Sequence, residues 1–198
     1  GIETKDVLEA ASTKWNFLNF RPGLVGGHCI GVDPYYLITK LKDMGYESIL
    51  LSNARKVNEE ISSFIAQSLV ERLKAKGIKP EDAKVKILGI TFKENVNDIR
   101  NSKVIDIVKE LQKDGLKVLA DDPNADLNLV EQEYKVKFEK NSNEKVDALI
   151  VAVAHNEYKN MSIQDIKDKL NETSILFDIK GLFNKNEIEK EKIEYWSL

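Results

Sequence analysis

The sequence predicts an α/β protein, with a helical segment over residues 1–80 and a doubly wound parallel-sheet lobe over residues 81–198. Three observations carry this. One amphipathic pattern runs from about Ile49 to Lys76, and short β-branched runs alternate with amphipathic helices beyond residue 84. In addition, VDALIVAVAH is apolar almost throughout, as a central strand covered on both faces must be.

Taken in order, GIETKDVLEAASTKW opens almost inside a helix, with Thr4 as N-cap and Val7, Leu8, Ala10 and Ala11 as its apolar stripe. So abrupt a start is expected of a fragment of a longer protein. NFLNFRPGLVGGHCIGVDP then reads as a loop, because glycine and proline interrupt any period of 2 or 3.6. Ordered loops of this length are uncommon and often functional. Asp33 suits an N-cap and Pro34 the first helical position, so PYYLITKLKDMG is predicted to be a helix closed by Gly45. In the long helix that follows, Leu50, Ala54, Val57, Ile61, Ile65, Leu69 and Leu73 recur at helical steps up to Gly77. A helix of that length serves as a dimer face or as a spacer between two lobes.

The boundary between the two parts falls in KGIKPEDAK, residues 76–84, where Gly, Pro and charges break the pattern. Beyond it, VKILGITF predicts a strand, SKVIDIVKELQKDG a helix capped by Ser102, and LKVLADD a second strand. VDALIVAVAH, SIQDIKDKL and SILFDIK continue as strand, helix and strand, while the charge-rich NKNEIEKEKIE reads as solvated surface.

A chain with 42% hydrophobic and 32% charged residues and a net charge of −3 is globular in composition and offers nucleic acid no broad cationic surface. It contains no apolar run of membrane-spanning length, no signal pattern, and a single cysteine that cannot form an internal disulfide. A cytoplasmic protein without membrane or nucleic-acid partners is the expectation.

That cysteine, Cys29, sits in GLVGGHCIGVDP. The nucleophilic form of cysteine is the thiolate, favoured by nearby positive charge or by backbone N–H groups at a helix N-terminus. Gly23, Gly26, Gly27 and Gly31 let the backbone close on an anion, Arg21 and His28 flank the loop, and Asp33 is able to hold a water. The competing reading makes Cys29 a small buried hydrophobe and the glycines mere turns. One Cys and two His do not reproduce a zinc-ligand spacing, so no metal is expected. A Cys–His hydrolase with His155 as base stays open.

In the second part, Lys93 follows the first strand and Arg100 precedes the Ser102-capped helix, where each suits a phosphate; the alternative is a pair of solvated loop cations. Asp121 and Asp122 stand where dinucleotide folds place a ribose-binding acid, but no GxGxxG precedes them, which leaves them as turn or ribose-edge residues.

GLVGGHCIGVDPYYL together with GITFKENVNDIRNSK resembles the UDP-glucose/GDP-mannose dehydrogenase family, at its central helical and C-terminal substrate-binding parts. TKWNFLNFRPGLVGGHCIGVDPYYL is most similar to the branch that oxidises UDP-N-acetylhexosamines for surface polysaccharides. The resemblance covers essentially the whole chain and implies that the family's N-terminal NAD-binding Rossmann domain is absent. It also implies a Rossmann-like UDP-binding lobe at residues 81–198 and a homodimer formed through the long helix. The implied chemistry is oxidation of the sugar C6 alcohol to a carboxylate with NAD, through a thioester on Cys29, with Asp33 assisting water or proton transfers. Phe20, Gly23, Gly26 and Gly27 match the loop that wraps the sugar nucleotide, and Phe92 and Lys93 match the family's FK pair at the substrate. Arg100 matches an arginine that reaches NAD across a dimer, and Lys180 falls near a uridine-contacting arginine. Lysine there lacks the planar two-pronged contact of arginine, and Thr13 stands where relatives place a substrate-binding arginine. The family's catalytic lysine and asparagine lie upstream of Gly1, so the isolated chain is expected to be inactive. The rival from another class is a non-catalytic nucleotide-sugar-binding or dimerisation module with a structural cysteine.

Overall fold

The computed structural model describes residues 2–139 and 144–198. It opens with three helices, α1 (Thr4–Ser12), α2 (Cys29–Asp43) and α3 (Ile49–Ala75). Gly45 and Gly77 close the second and third with φ of +82° and +79°, a backbone conformation that costs glycine little.

Two helix starts differ from expectation. Thr4 is already helical and Glu3 takes the N-cap position of α1 without a side-chain bond. More consequentially, α2 begins at Cys29, so Asp33 lies within the helix and is not its cap, and Pro34 is an interior residue. The cysteine therefore occupies the first helical turn, not the loop.

The second part is a five-stranded sheet of β1 (Lys84–Leu88), β2 (Lys117–Asp121), β3 (Val146–Val151), β4 (Leu170–Asp178) and β5 (Glu194–Trp196). The order is β2-β1-β3-β4-β5 and every pairing is parallel. Alternate side chains of a strand point to opposite faces, and here both faces are covered. Val85, Ile87, Ile150 and Phe177 pack with α3 and with α4 (Lys103–Lys113). Leu88, Leu149 and Leu176 pack under α6 (Asn156–Lys159), α7 (Ile163–Lys169) and α8 (Lys185–Lys190) through Tyr158, Ile166 and Ile188. The doubly wound lobe of the sequence reading is thus present, and Ser102 caps α4 as expected, accepting from the Val104 amide.

The far half of α3 belongs to this core. Ile65, Ala66, Leu69 and Leu73 are fully buried in one cluster with the sheet, and Ser62 Oγ donates to the Lys103 carbonyl at 2.9 Å. The near half, with α1, α2 and the segment between them, leaves large apolar side chains exposed, among them Trp15, Tyr36, Leu50 and Val57. Helix α5 (Leu127–Tyr134), capped by Asp126, is unanticipated, as are α6, α8 and β5. The charge-rich C-terminal stretch is not simply solvated surface: it forms α8 and buries Ile188 and Ile193.

The chain leaves β1 for β2 on one side and returns to β3 on the other. The reversal opens a crevice beyond the carboxyl ends of β1 and β3, where open parallel sheets bind ligands.

Candidate functional site

The crevice is walled by the segment that follows β1. Phe92, Lys93 and Glu94 line it together with Ala152, Val153 and Ala154 beyond β3, Ser102 and Lys103 at the start of α4, Leu24 and Lys180. Two buried side chains hold this wall. Asp122 accepts from the backbone amides of Ile90 and Thr91 with one oxygen and from those of Asn124 and Ala125 with the other. His155 Nδ1 accepts from the Asn95 amide at 2.9 Å, which places its proton on Nε2, 3.2 Å from Asp122 Oδ2 and 3.1 Å from Thr91 Oγ1. Asp122 is therefore a loop anchor and not a ribose-edge residue. Because His155 is fully buried with both ring nitrogens engaged, it is not available as the base of a Cys–His hydrolase.

The glycine loop docks on this wall. Gly27 N donates to the Arg100 carbonyl at 3.2 Å, and Asn101 Nδ2 donates to the Gly27 carbonyl at 3.3 Å. A Cβ on Gly26 would lie 2.5 Å from the Asn101 carbonyl oxygen, and one on Gly27 would lie 2.9 Å from the Phe92 ring. Only residues without side chains allow so close an approach. Asn58 of α3 supports the loop from below, donating to the Val25 carbonyl at 3.1 Å.

Cys29 and Asp33 are both exposed on α2. Four residues apart on a helix, they share one face, with Cβ atoms roughly 5–6 Å apart by helical geometry. Cys29 is the first residue of the helix, in the turn whose N–H groups have no intrahelical partner. The exposure of Cys29 removes the reading of a small buried hydrophobe.

Lys180 bridges the crevice to a larger cleft of about 670 Å³ between α1, Arg21, Pro22 and residues 179–186. It rides on a tight turn in which the Gly181 amide donates to the Asp178 carbonyl, Gly181 having φ of +64°. Asp178 is buried, and burial pushes its carboxyl up despite hydrogen bonds from the Phe183 amide and the Tyr195 hydroxyl. A Cβ on Gly23 would come within 3.0 Å of Lys180 Nζ. The cleft is also lined by Lys5, Lys185, Glu3, Asp6 and Glu9, with Lys185 taken by Glu3 at 2.7 Å. Neither Lys180 nor Arg21 enters an ion pair among the described residues.

Of the residues named from sequence, Gly23, Gly26, Gly27, Phe92, Lys93 and Lys180 come together around the crevice. Phe20 stays 76% exposed outside it. Arg100 joins the loop only by its backbone. Its guanidinium is exposed and gripped by both oxygens of Asp98, Nε at 2.9 Å from Oδ1 and Nη2 at 2.6 Å from Oδ2. Asn58 and Asn101 carry no sign of this role in the sequence, because nothing local marks a side chain that holds a distant loop.

The Arg100 side chain and amide hydrogen-bond Asp98 and hold its carboxyl down at about 2, against an ordinary 3.8. A depressed carboxyl adds stability above its unfolded pKa and loses it as pH falls through the folded one. Unfolding curves are therefore expected to lose this contribution between about pH 4 and pH 2. Asp98→Asn should flatten that limb, and an unchanged acid limb would show the pair to be inert.

Residues 86–185 match the UDP binding domain of the UDP-glucose/GDP-mannose dehydrogenase family, and residues 1–60 match its central domain. Protein CapL of Staphylococcus aureus is 42% identical over 191 residues, 94% of this chain and 44% of the relative. A UDP-N-acetyl-D-glucosamine 6-dehydrogenase of Salmonella typhi is 45% identical over 180 residues, 90% of this chain and 42% of the relative. The UDP-D-ManNAc dehydrogenase structure from Pyrococcus horikoshii superposes with a TM-score of 0.82 at 25% identity, covering 100% of this chain and 44% of that one. The chain thus spans less than half the length of these relatives. With its parallel-sheet fold, docked glycine loop and two matching domains, the chain belongs to the UDP-glucose/GDP-mannose dehydrogenase family.

Proposed function

We propose that this chain is the part of an NAD-dependent nucleotide-sugar 6-dehydrogenase that supplies the nucleophilic cysteine and the UDP-sugar lobe. The substrate is a UDP-N-acetylhexosamine and the product its uronic acid, destined for surface polysaccharide. The observation that carries the reading is the docking of the glycine loop on Phe92 and Asn101, which joins the exposed Cys29 helix to the crevice of Lys93 and Lys180.

Lys93 and Lys180 bind the diphosphate and uridine end, and Phe92 and the glycines shape the floor on which the sugar lies. Cys29 Sγ attacks the carbonyl carbon of the C6 aldehyde, forming a C–S bond, and water later cleaves that bond at the thioester stage to leave the carboxylate. Asp33, on the same helix face, holds that water and takes its proton. NAD supplies the hydride acceptor for both oxidations. Arg100 is the one residue here assigned to it; an exposed guanidinium near a capped helix start suits a phosphate contact but is not a whole dinucleotide site. The chain alone is accordingly expected to form no NADH from NAD and a UDP-sugar, and steady turnover by it would contradict this. The exposed apolar face of α2 and the near half of α3 supports a homodimer through the long helix. Sedimentation equilibrium tests that, a monomer at high concentration being the contrary result.

The exposed thiol also argues against a module with a structural cysteine. Calorimetric titration with UDP-N-acetylhexosamines, UDP-glucose, UDP and GDP-mannose tests the function. Binding should be selective for UDP, and Lys93→Ala or Lys180→Ala should each weaken it roughly ten- to a hundredfold, as the loss of a charged hydrogen bond does. Equal binding of GDP-mannose, or indifference to both substitutions, would contradict the assignment.

A further inference from the structure

Helix α2 contains a proline where a helix should not have one. Pro34 lies five residues after the first helical residue, Cys29, and has no N–H to give. In an α-helix the amide of residue 34 would donate to the carbonyl of residue 30. The Ile30 carbonyl, next in sequence to Cys29, is thereby left without its helical partner, and the pyrrolidine ring presses it outward.

The missing donor comes from another helix. Arg55 of α3, 7% exposed, donates from Nη1 to the Ile30 carbonyl at 3.3 Å. The guanidinium is fixed by Nη2 donating to Glu59 at 3.0 Å and by the Tyr35 ring, whose centroid lies 5.4 Å from its carbon. Glu59 is itself anchored by Lys103 of the sheet lobe. Burial works to raise the Glu59 carboxyl, but Lys103 and Arg55 outweigh it and hold it low. Arg55 Nε finds no hydrogen-bond partner among the described residues, a cost that an aliphatic residue filling the same space would avoid.

We infer that Arg55 is a positioning residue for Cys29, substituting for the amide that Pro34 lacks and so holding the first turn of α2 in place. This rests on the reading of Cys29 as the nucleophile. Arg55 completes a set, since Asn58 holds the Val25 carbonyl and Asn101 the Gly27 carbonyl on the other side of the thiol. Three carbonyls flanking Cys29 are thus gripped by side chains from α3 and from the segment before α4.

The test is the rate at which iodoacetamide alkylates the chain's one cysteine at neutral pH, a measurement that needs neither NAD nor a UDP-sugar. Failure of nucleotide binding would leave it readable, so this inference and the proposed function fail separately. In Arg55→Met the first turn, which carries Cys29, is no longer held in place, so the rate should fall about three- to tenfold. Arg55→Lys, which still reaches the carbonyl with a donor, should recover most of it. In a Pro34→Ala background residue 34 supplies its own N–H, and the same Arg55→Met change should then alter the rate less than about twofold. Circular dichroism establishes that each variant is folded. If Arg55→Met does not fold, the milder loss in Arg55→Lys, compared with and without Pro34→Ala, gives the same cycle. An equal fall in both backgrounds, or no fall in either, overturns the inference.

Discussion

His155→Leu is expected to lower the unfolding free energy by roughly 3 kcal/mol or more, which for a chain of this size corresponds to about 6–12 °C in Tm. The side chain is fully buried and touches four polar partners: Thr91, the Asn95 amide, Asp122 and Asn124. Leucine fills much of the same space but removes the Nε2–H donor from the buried Thr91 and Asp122 and the acceptor from the part-buried Asn95 amide and Asn124 side chain, and each group left unmet away from water costs about 1–3 kcal/mol. The damage should concentrate in the wall that carries Phe92 and Lys93, so amides 90–95 should lose hydrogen-exchange protection first. A change under about 1 kcal/mol would mean that the network is replaced by water at little cost. Alkylation of Cys29 in the folded variant should continue, whereas a hydrolase base would take the reactivity with it.

Gly26→Ala should cost about 1–3 kcal/mol of stability by overpacking and weaken UDP-sugar binding at least about tenfold, because the added methyl meets backbone that cannot turn aside. Its nearest neighbours would be the Asn101 carbonyl oxygen at 2.5 Å and Phe92 Cβ at 3.0 Å. Asn101 is already held at φ of +52°, which leaves that carbonyl little freedom to yield. Gly31→Ala is the matched control. It lies inside α2, its nearest contact would be an ordinary 3.8 Å, and alanine favours the helix by up to about 1 kcal/mol. Equal behaviour of the two variants would show that the loop does not depend on its close seat against the wall.

The sheet lobe was legible because its signals are local. An apolar run marked β3, Ser102 marked the start of α4, and glycines marked the ends of α2 and α3. The start of α2 was not, because proline and aspartate at 33–34 are a sound local signal for a helix start. What overrides it is a donor 25 residues away in sequence. Asp122 does hold a turn, its Oδ1 accepting from the Asn124 and Ala125 amides, but its further partners, Ile90, Thr91 and His155, are distant in sequence and leave no local mark. In the stretch 184–194 the charges outnumber the apolar residues, and only Ile188 and Ile193 betray an inner face. Within the site, the glycines and the cations could be named from sequence, but the contacts that join Gly26 and Gly27 to Phe92 and Asn101 are tertiary.

If the Cys29 helix and the nucleotide crevice form one site, a bound sugar nucleotide protects the thiol. The chain is alkylated at Cys29 with and without a UDP-N-acetylhexosamine at ten times its calorimetric Kd, with ADP as the control nucleotide. The sugar nucleotide should slow alkylation about tenfold, matching the unbound fraction at that concentration, while ADP leaves the rate unchanged. Saturating UDP-sugar that binds without slowing alkylation would separate the thiol from the crevice and contradict the claim.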